Sequence, residues 1–592
     1  MKSFYKKIVF IFCISLLIVL VFVFLLQKYL LTENNSIKKV FSKHKYSQNY
    51  VSGVIPHHLL AKSIIEKFFA ELSKENYPQK IVLFGPDHFN AGAIYGNKLI
   101  TINTSTTNLG NLAIDNELLN TLARVSSFAF SNYAIKNEHA IMSILPFIRQ
   151  YFPNAKIIPF LIPAKFSFDE TKNVVENLNK ILPDNSFILA SVDWSHNLPQ
   201  NVADFHDKKS IRVFLNFEEK NFSNIEVDCP QCLYAIRYFA KLRNADNYIE
   251  IDHKNSQDFL NGEIIDNTTS YFSVLFSKRK TIYEISKYPK KTILFLGNII
   301  LDKEVKRLLD KNGLLYPIEN IRNFLRGIDI VIGNLEGFEF VSPNYTSDSP
   351  MRFNFIPGVL NLLRYAKINF VSLANDSTLA KDKDVLVQIK ELLNRKNINY
   401  FGDPISCGEE NIYKIDNIVL IGLNLIGLNK NFSINCTQEQ IVKLVKNVKQ
   451  ENPNDFVIVF IHWGEKYRQT SNVTQKELAH LMIDSGADLV IGSHPYFVQE
   501  IEQYKGKLIF YSLGNFISDQ YFSKETQEGL AVGLELYDNK ALIHLFPLGI
   551  NKNQPYLLDN MKRIKFLENL SLKSSSALKN QILNGIITID IP

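Results

Sequence analysis

Short, wholly apolar runs recur along this chain, and most of them end in a small polar cluster. Residues 80–84, 156–162 and 186–190 are such runs, separated by helical patterns at 138–151 and 170–182. A run of this length with no polar alternation suits a strand covered on both faces, and its regular exchange with helices is the pattern of parallel strands joined by crossovers. Residues 50–280 are therefore expected to form one α/β layer domain. The basic stretch from Lys278 to Lys291 separates it from a second alternating region. Strands are expected there at 292–296, 329–332, 369–373, 456–461, 488–491 and 508–511, with helices such as 381–394 and 475–485 between them. The second domain is taken as 291–550, and 551–592 as a C-terminal extension without a motif. A chain of 592 residues exceeds what one hydrophobic core usually serves, which agrees with two domains.

The N-terminus adds a different element. Residues 8–26 carry no charge and follow Lys2, Lys6 and Lys7. Nineteen helical residues rise roughly 29 Å, enough to cross a hydrocarbon core of about 30 Å. Lysines before the run place its start in the cytoplasm. The expectation is an N-terminal transmembrane helix within 1–30, a single pass through the cell membrane, and the bulk of the chain outside. No small-residue cleavage pattern follows the run, which argues for an uncleaved anchor.

Composition narrows the partners. The net charge of +7 is spread out, with no arginine-rich stripe, so nucleic acid is not expected. Cysteines stand only at 13, 229, 232, 407 and 436, too few for a disulfide scaffold. Cys229-Pro230-Gln231-Cys232 has the spacing of a redox pair or of half a zinc site, and without a second such pair a zinc knuckle is not expected.

In the first region the polar strand ends are Pro56-His57-His58, Gly85-Pro86-Asp87-His88, Glu138-His139 and Ser191-Val192-Asp193-Trp194-Ser195-His196, with Cys229 further on. Imidazole, carboxylate and thiolate are the ligand set of zinc, iron or copper. These segments, with Val54 to Ala61 and Leu83 to Phe89, resemble the MEMO family, known in prokaryotes as AmmeMemoRadiSam system protein B. The resemblance implies a fold similar to the extradiol dioxygenases and a divalent transition metal, iron or copper, held by His57, His88 and Cys229. His139 and His196 then line the pocket, and Asp193 stands in the matching Ser-Asp segment. His58 remains an alternative to His57, and Cys232 to Cys229. Glu138 is the motif carboxylate available to a two-histidine, one-carboxylate iron site.

The second region ends its runs with Gly297-Asn298, Asn334-Leu335-Glu336-Gly337, Asn375-Asp376-Ser377, His462-Trp463-Gly464-Glu465, Ser493-His494-Pro495 and Gly514-Asn515. At the carboxyl ends of α/β strands such clusters converge on a crevice. They resemble the CapA family of poly-γ-glutamate capsule synthesis proteins, whose fold is metallophosphatase-like. That resemblance implies metal ligands at Glu336, Asn375, His462 and His494, with Asp376 beside them. Asn298, Ser377 and Tyr496 replace one carboxylate and two imidazoles of the family pattern, so a two-metal hydrolytic centre is expected to be weakened or lost. Candidate catalytic groups across both regions are His139, Asp193, His196, Glu336 and His462. The expected role is in surface-polymer synthesis, with the cell membrane, an anionic surface polymer or its precursor, and other envelope-synthesis proteins as partners. A metal-dependent oxidoreductase and a non-catalytic scaffold are the competing readings.

Overall fold

The computed structural model describes residues 49–591, apart from 263, 280–286, 302, 337, 340–353, 356–358, 379–382 and 428–435. The expected anchor at 1–30 lies outside the described residues. Among the described residues no helix is long and apolar enough to cross a membrane.

The fold is mixed α/β, with sheets in both domains. The first domain is built on an 11-stranded sheet whose centre is the parallel series Tyr50–Ile55, Ser186–Ser191, Lys80–Pro86 and Lys156–Ile162. Three of these are the apolar runs read from the sequence and Tyr50–Ile55 is the fourth, and all are buried on both faces. The helices Lys62–Glu75, Phe168–Ile181 and Pro230–Leu242 send their apolar stripes into the same core.

The second domain stacks two sheets face to face. One is 9-stranded and contains Lys291–Ile300 and Ile330–Glu336; the other is 6-stranded and contains Ile418–Asn424, Phe456–His462 and Leu489–Ser493. Alternating side chains divide between layers, as the two-residue strand period dictates. Ile293 and Phe295 face Ile458 and Phe460 in the core between the sheets. Leu294 and Leu296 turn the other way, toward an outer helical layer. Val457 and Val459 turn outward from the second sheet toward the helices Gln438–Glu451 and Val473–Asp484.

The segment after 550 is no extension. Gln554–Leu557 and Ile586–Asp590 both pair with Lys540–Asn551, and Leu567, Leu570, Ile582 and Ile587 are buried in the inter-sheet core. The strand Lys540–Asn551 would otherwise present an open edge.

The helix Gln200–Leu215 joins the domains. Its Phe205 packs on His544 and Phe546 of the second domain. Arg212 grips Asp329 through two nitrogens at 2.8 and 3.0 Å, and the buried Lys209 ammonium donates to the carbonyls of Asn224 and Ile328.

Candidate metal sites

Neighbouring parallel strands bring their carboxyl ends side by side, which fixes the first site. Tyr50–Ile55 delivers His57, Ser186–Ser191 delivers Asp193, and Lys80–Pro86 delivers His88. The short helix His139–Met142 brings His139, with Glu138 at its cap. Ligand atoms of His57, His88 and His139 lie within 4.8 Å of one another.

Glu138 organises this cluster. Its Oε1 is 2.8 Å from His88 Nδ1 and 3.1 Å from His139 Nδ1, while Oε2 accepts the His88 backbone N–H at 3.0 Å. One buried carboxylate therefore fixes both rings through Nδ1 and leaves each Nε2 for the site, the usual arrangement behind metal-bound histidines. Glu138 is thus the orienting group rather than the carboxylate of an iron triad. Asp193 likewise accepts the His57 backbone N–H at 3.0 Å and sits 3.5 Å from His57 Nε2.

The structure also supplies a carboxylate absent from the sequence reading. Asp228 Oδ2 is 3.5 Å from His57 Nε2 and 3.7 Å from His88 Nε2. It precedes Cys229, whose place in a C-x-x-C pair gave the stronger sequence signal.

Three sequence expectations come out differently. Cys229 is disulfide-bonded to Cys232, so neither sulfur is the thiolate ligand expected, and the third ligand position falls to His139. His58 points away: its Nδ1 accepts the Leu60 N–H and its ring stacks on Tyr271, which leaves His57 as the site histidine. His196 opens the short strand His196–Leu198, outside the cluster of ligand atoms.

Electrostatics follow from burial and these partners. Burial pushes His57 down to about 4. Burial opposes charge on His88 as well, but the Asp228 and Glu138 carboxylates outweigh it and raise His88 to about 10. Burial, then the neighbouring His88, lowers His139, and burial raises Asp193. His57 Nδ1 and Asp228 Oδ1 are buried without a hydrogen-bond partner. Three clustered imidazoles, two of them oriented by the Glu138 carboxylate, with carboxylates beside them, fit a divalent transition metal.

The second site lies at strand ends of both stacked sheets. Ligand atoms of Asp376, His462 and His494 come together there. His462 Nε2 is 3.1 Å from Asp376 Oδ1 and 3.0 Å from His494 Nδ1. His494 has φ +97°, a backbone strain that side-chain-bearing residues rarely hold outside functional sites.

Glu336 and Asn375 do not join this trio. Glu336 is fully buried, accepts from Asn334 Nδ2 at 3.0 Å and faces the Tyr496 hydroxyl at 3.5 Å. Burial and the nearby Asp376 hold its carboxyl well above the carboxylate range. Asn375 is committed to scaffolding: its Oδ1 accepts from the Thr378 hydroxyl and from the N–H groups of Ser377 and Thr378, and its Nδ2 donates to Asn334 and to the Leu335 carbonyl. Asn298 continues the chain of amides, accepting from Asn334 at 3.0 Å and donating to Asn515 at 3.3 Å. Gly297 lets the backbones meet here, since a Cβ would stand 2.2 Å from the Gly514 carbonyl. Burial raises Asp376, but His462 outweighs it and holds the carboxyl well below its usual range, while burial and His462 push His494 down to about 3. One carboxylate and two imidazoles make a donor set for a single cation, with amides where a second cation would need anions.

Comparison with known proteins agrees with this division. Residues 31–256 match the family described as Memo-like protein, and residues 292–520 match the family described as Bacterial capsule synthesis protein PGA_cap. The chain is similar to the capsule biosynthesis protein CapA of Bacillus anthracis, 28% identical over 293 residues, covering 45% of this chain and 69% of that protein. It is similar to the PGA biosynthesis protein CapA of Bacillus subtilis (strain 168), 26% identical over 320 residues, covering 50% and 81%. It is also similar to a MEMO1 family protein of Caldivirga maquilingensis, 26% identical over 248 residues, covering 40% and 86%.

Proposed function

Because the chain carries a Memo-like domain followed by a PGA_cap capsule-synthesis domain, we propose that it is a membrane-anchored, extracytoplasmic protein of surface-polymer assembly with a divalent metal in its first domain. The observation that carries the role is the likeness of its second domain to capsule biosynthesis proteins.

Two further observations support the location. The apolar run at 8–26 behind three lysines has the length and charge bias of an anchor. Cys229–Cys232 and Cys407–Cys436 are both disulfides, and paired cysteines persist in oxidising compartments outside the cytoplasm. An anionic polymer or precursor is the partner best matched to the domain seam. There a cleft of about 600 Å³ is lined by Arg322, Arg326, Arg364 and Lys367, with Glu226 opposing them and Asp329 already held by Arg212. Guanidinium groups in such a cleft suit carboxylates or phosphates.

In the first domain, His57, His88 and His139 would hold the metal. A bound transition metal would supply Lewis acidity or electron-transfer chemistry there. Glu138 orients two of the rings and Asp193 fixes the His57 backbone. This cluster favours a second reading, a metal-dependent oxidoreductase acting through the same residues. In the second domain the amide chain leaves little for two-metal hydrolysis, so that domain binds its ligand more than it cleaves it.

The test is deletion of the gene with complementation by wild type or by a variant lacking residues 1–30. Loss of cell-surface polymer, restored only by the anchored protein, is expected. Unchanged polymer after deletion would overturn the role.

A further inference from the structure

We propose that Asp228 supplies the fourth donor of the first-domain site, giving three histidines and one carboxylate, with no part for Cys229. This rests on the metal reading above and specifies its ligands.

The distances carry the argument. Asp228 Oδ2 stands 3.5 Å from His57 Nε2 and 3.7 Å from His88 Nε2. Both are too long for hydrogen bonds, whose N···O separations run about 2.7–3.2 Å. Donors about 2.1 Å from one tetrahedral metal lie about 3.4 Å apart, because that is the edge of the tetrahedron. The carboxylate is therefore spaced from these two imidazoles as a fellow ligand is, not as a hydrogen-bond partner, and it meets the three-histidine cluster from its His57–His88 side.

Its surroundings agree. Asp228 Oδ1 is buried with no partner, and an unpaired carboxylate oxygen inside a protein calls for a cation. The backbone holds the group in place: Asp193 N–H donates to Asp228 Oδ2 at 3.1 Å, and Asp228 N–H donates to the Asp193 carbonyl at 3.1 Å. Asp193 is the rival carboxylate, but of the three clustered imidazoles its ion-pair contact is with His57, whereas Asp228 reaches both His57 and His88. It is a positioning residue. The Cys229–Cys232 bond takes both sulfurs out of the ligand set and closes the turn that starts Pro230–Leu242, directly after Asp228.

The chemical consequence is a change of metal class. Three imidazoles and a carboxylate suit borderline divalent ions such as Fe²⁺, Co²⁺ or Zn²⁺, whereas a thiolate would favour soft Cu⁺.

The experiment is Co²⁺ titration of the full, detergent-solubilised, oxidised chain carrying His462→Ala, which disables the second cluster and is the reference called wild type below, followed by visible absorption and metal stoichiometry. Wild type is expected to bind one Co²⁺ in this site, with no thiolate-to-cobalt charge-transfer band. Asp228→Asn should weaken binding at least ~10-fold, and Asp228→Glu should recover part of it. The paired Cys229→Ser, Cys232→Ser variant should bind as wild type. Thermal unfolding of each variant guards against misfolding. Undiminished binding by Asp228→Asn, with binding abolished by His57→Ala, would overturn the Asp228 assignment alone. A charge-transfer band in wild type would overturn it too. No cobalt uptake by wild type would overturn the metal reading itself.

Discussion

Glu138 is the residue on which the geometry of the first site turns. It is wholly buried, and its one carboxylate sets the orientation of both His88 and His139. Glu138→Gln keeps the shape but leaves only one accepting terminal atom, so its NH2 must face either the His88 backbone N–H or the two ring nitrogens that share Oε1. Metal affinity is expected to fall 10- to 100-fold with little loss of fold, measurable by metal titration beside thermal unfolding. In the second site the residues point the other way. Asn298 and Tyr496 stand where the resemblance implies a carboxylate and an imidazole, and both lie in a packed network of amides and Glu336. The double change Asn298→Asp, Tyr496→His is expected to raise metal stoichiometry in that domain. Unchanged metal content would place the loss elsewhere in the network. At this scale the histidines were legible in the sequence, since His57, His88, His462 and His494 each stand at or just after the end of a strand and His139 follows Glu138 in a short polar motif. Asp228 was not, because its contact with His57 spans about 170 residues of chain and depends on how a distant helix docks. Cys229 misled for a related reason: spacing marks a pair of cysteines, but not whether they bind metal or each other.

Among elements, the strands were the easiest to read and the helix Gln200–Leu215 the hardest. Strands such as Lys156–Ile162 are apolar throughout and need no partner to be recognised. Gln200–Leu215 carries His206, Asp207, Lys209 and Arg212 at buried positions, so its inner face does not look apolar. Three of those polar groups are satisfied by partners no periodicity reveals: Asp207 by Ser195 and His253, Lys209 by two backbone carbonyls, Arg212 by Asp329. The C-terminal segment was obscure in the same way, because its burial depends on pairing with Lys540–Asn551. Toward the second domain the helix sends Val202 and Phe205, and Phe205 is fully buried against Phe546 and His544. Phe205→Ala is expected to cost about 3–5 kcal/mol in denaturant unfolding, as for other large buried aromatics. A cost under about 1 kcal/mol would mean that the seam is held by the ion pairs alone.

At the scale of the whole molecule, the two domains share a buried polar seam, and this makes its stability depend on pH. His206 is fully buried there, and its Nε2–H donates to the Phe324 carbonyl at 2.9 Å, while Nδ1 has no partner. Asp207 and Lys209 flank it on its own helix, and Gly327 of the second domain closes over its ring with Glu226 alongside. Burial pushes this histidine down to about 4, whereas in the unfolded chain it titrates near 6.5. Between those values the unfolded state takes up a proton that the folded state refuses, so stability is full above about 6.5 and declines as pH falls toward 4. The shift is worth about 3 kcal/mol at the acid end. His57 titrates in the same window for the same reason, so the wild-type slope alone does not isolate the seam. His206→Gln keeps a donor for the Phe324 carbonyl and removes only the titration, leaving the His57 contribution common to both proteins. Equilibrium unfolding at pH 7.5 and 4.5 should therefore show the wild type losing up to about 3 kcal/mol more than the variant. Equal losses would mean that the seam opens to water before His206 is protonated, and that the two domains part before either unfolds.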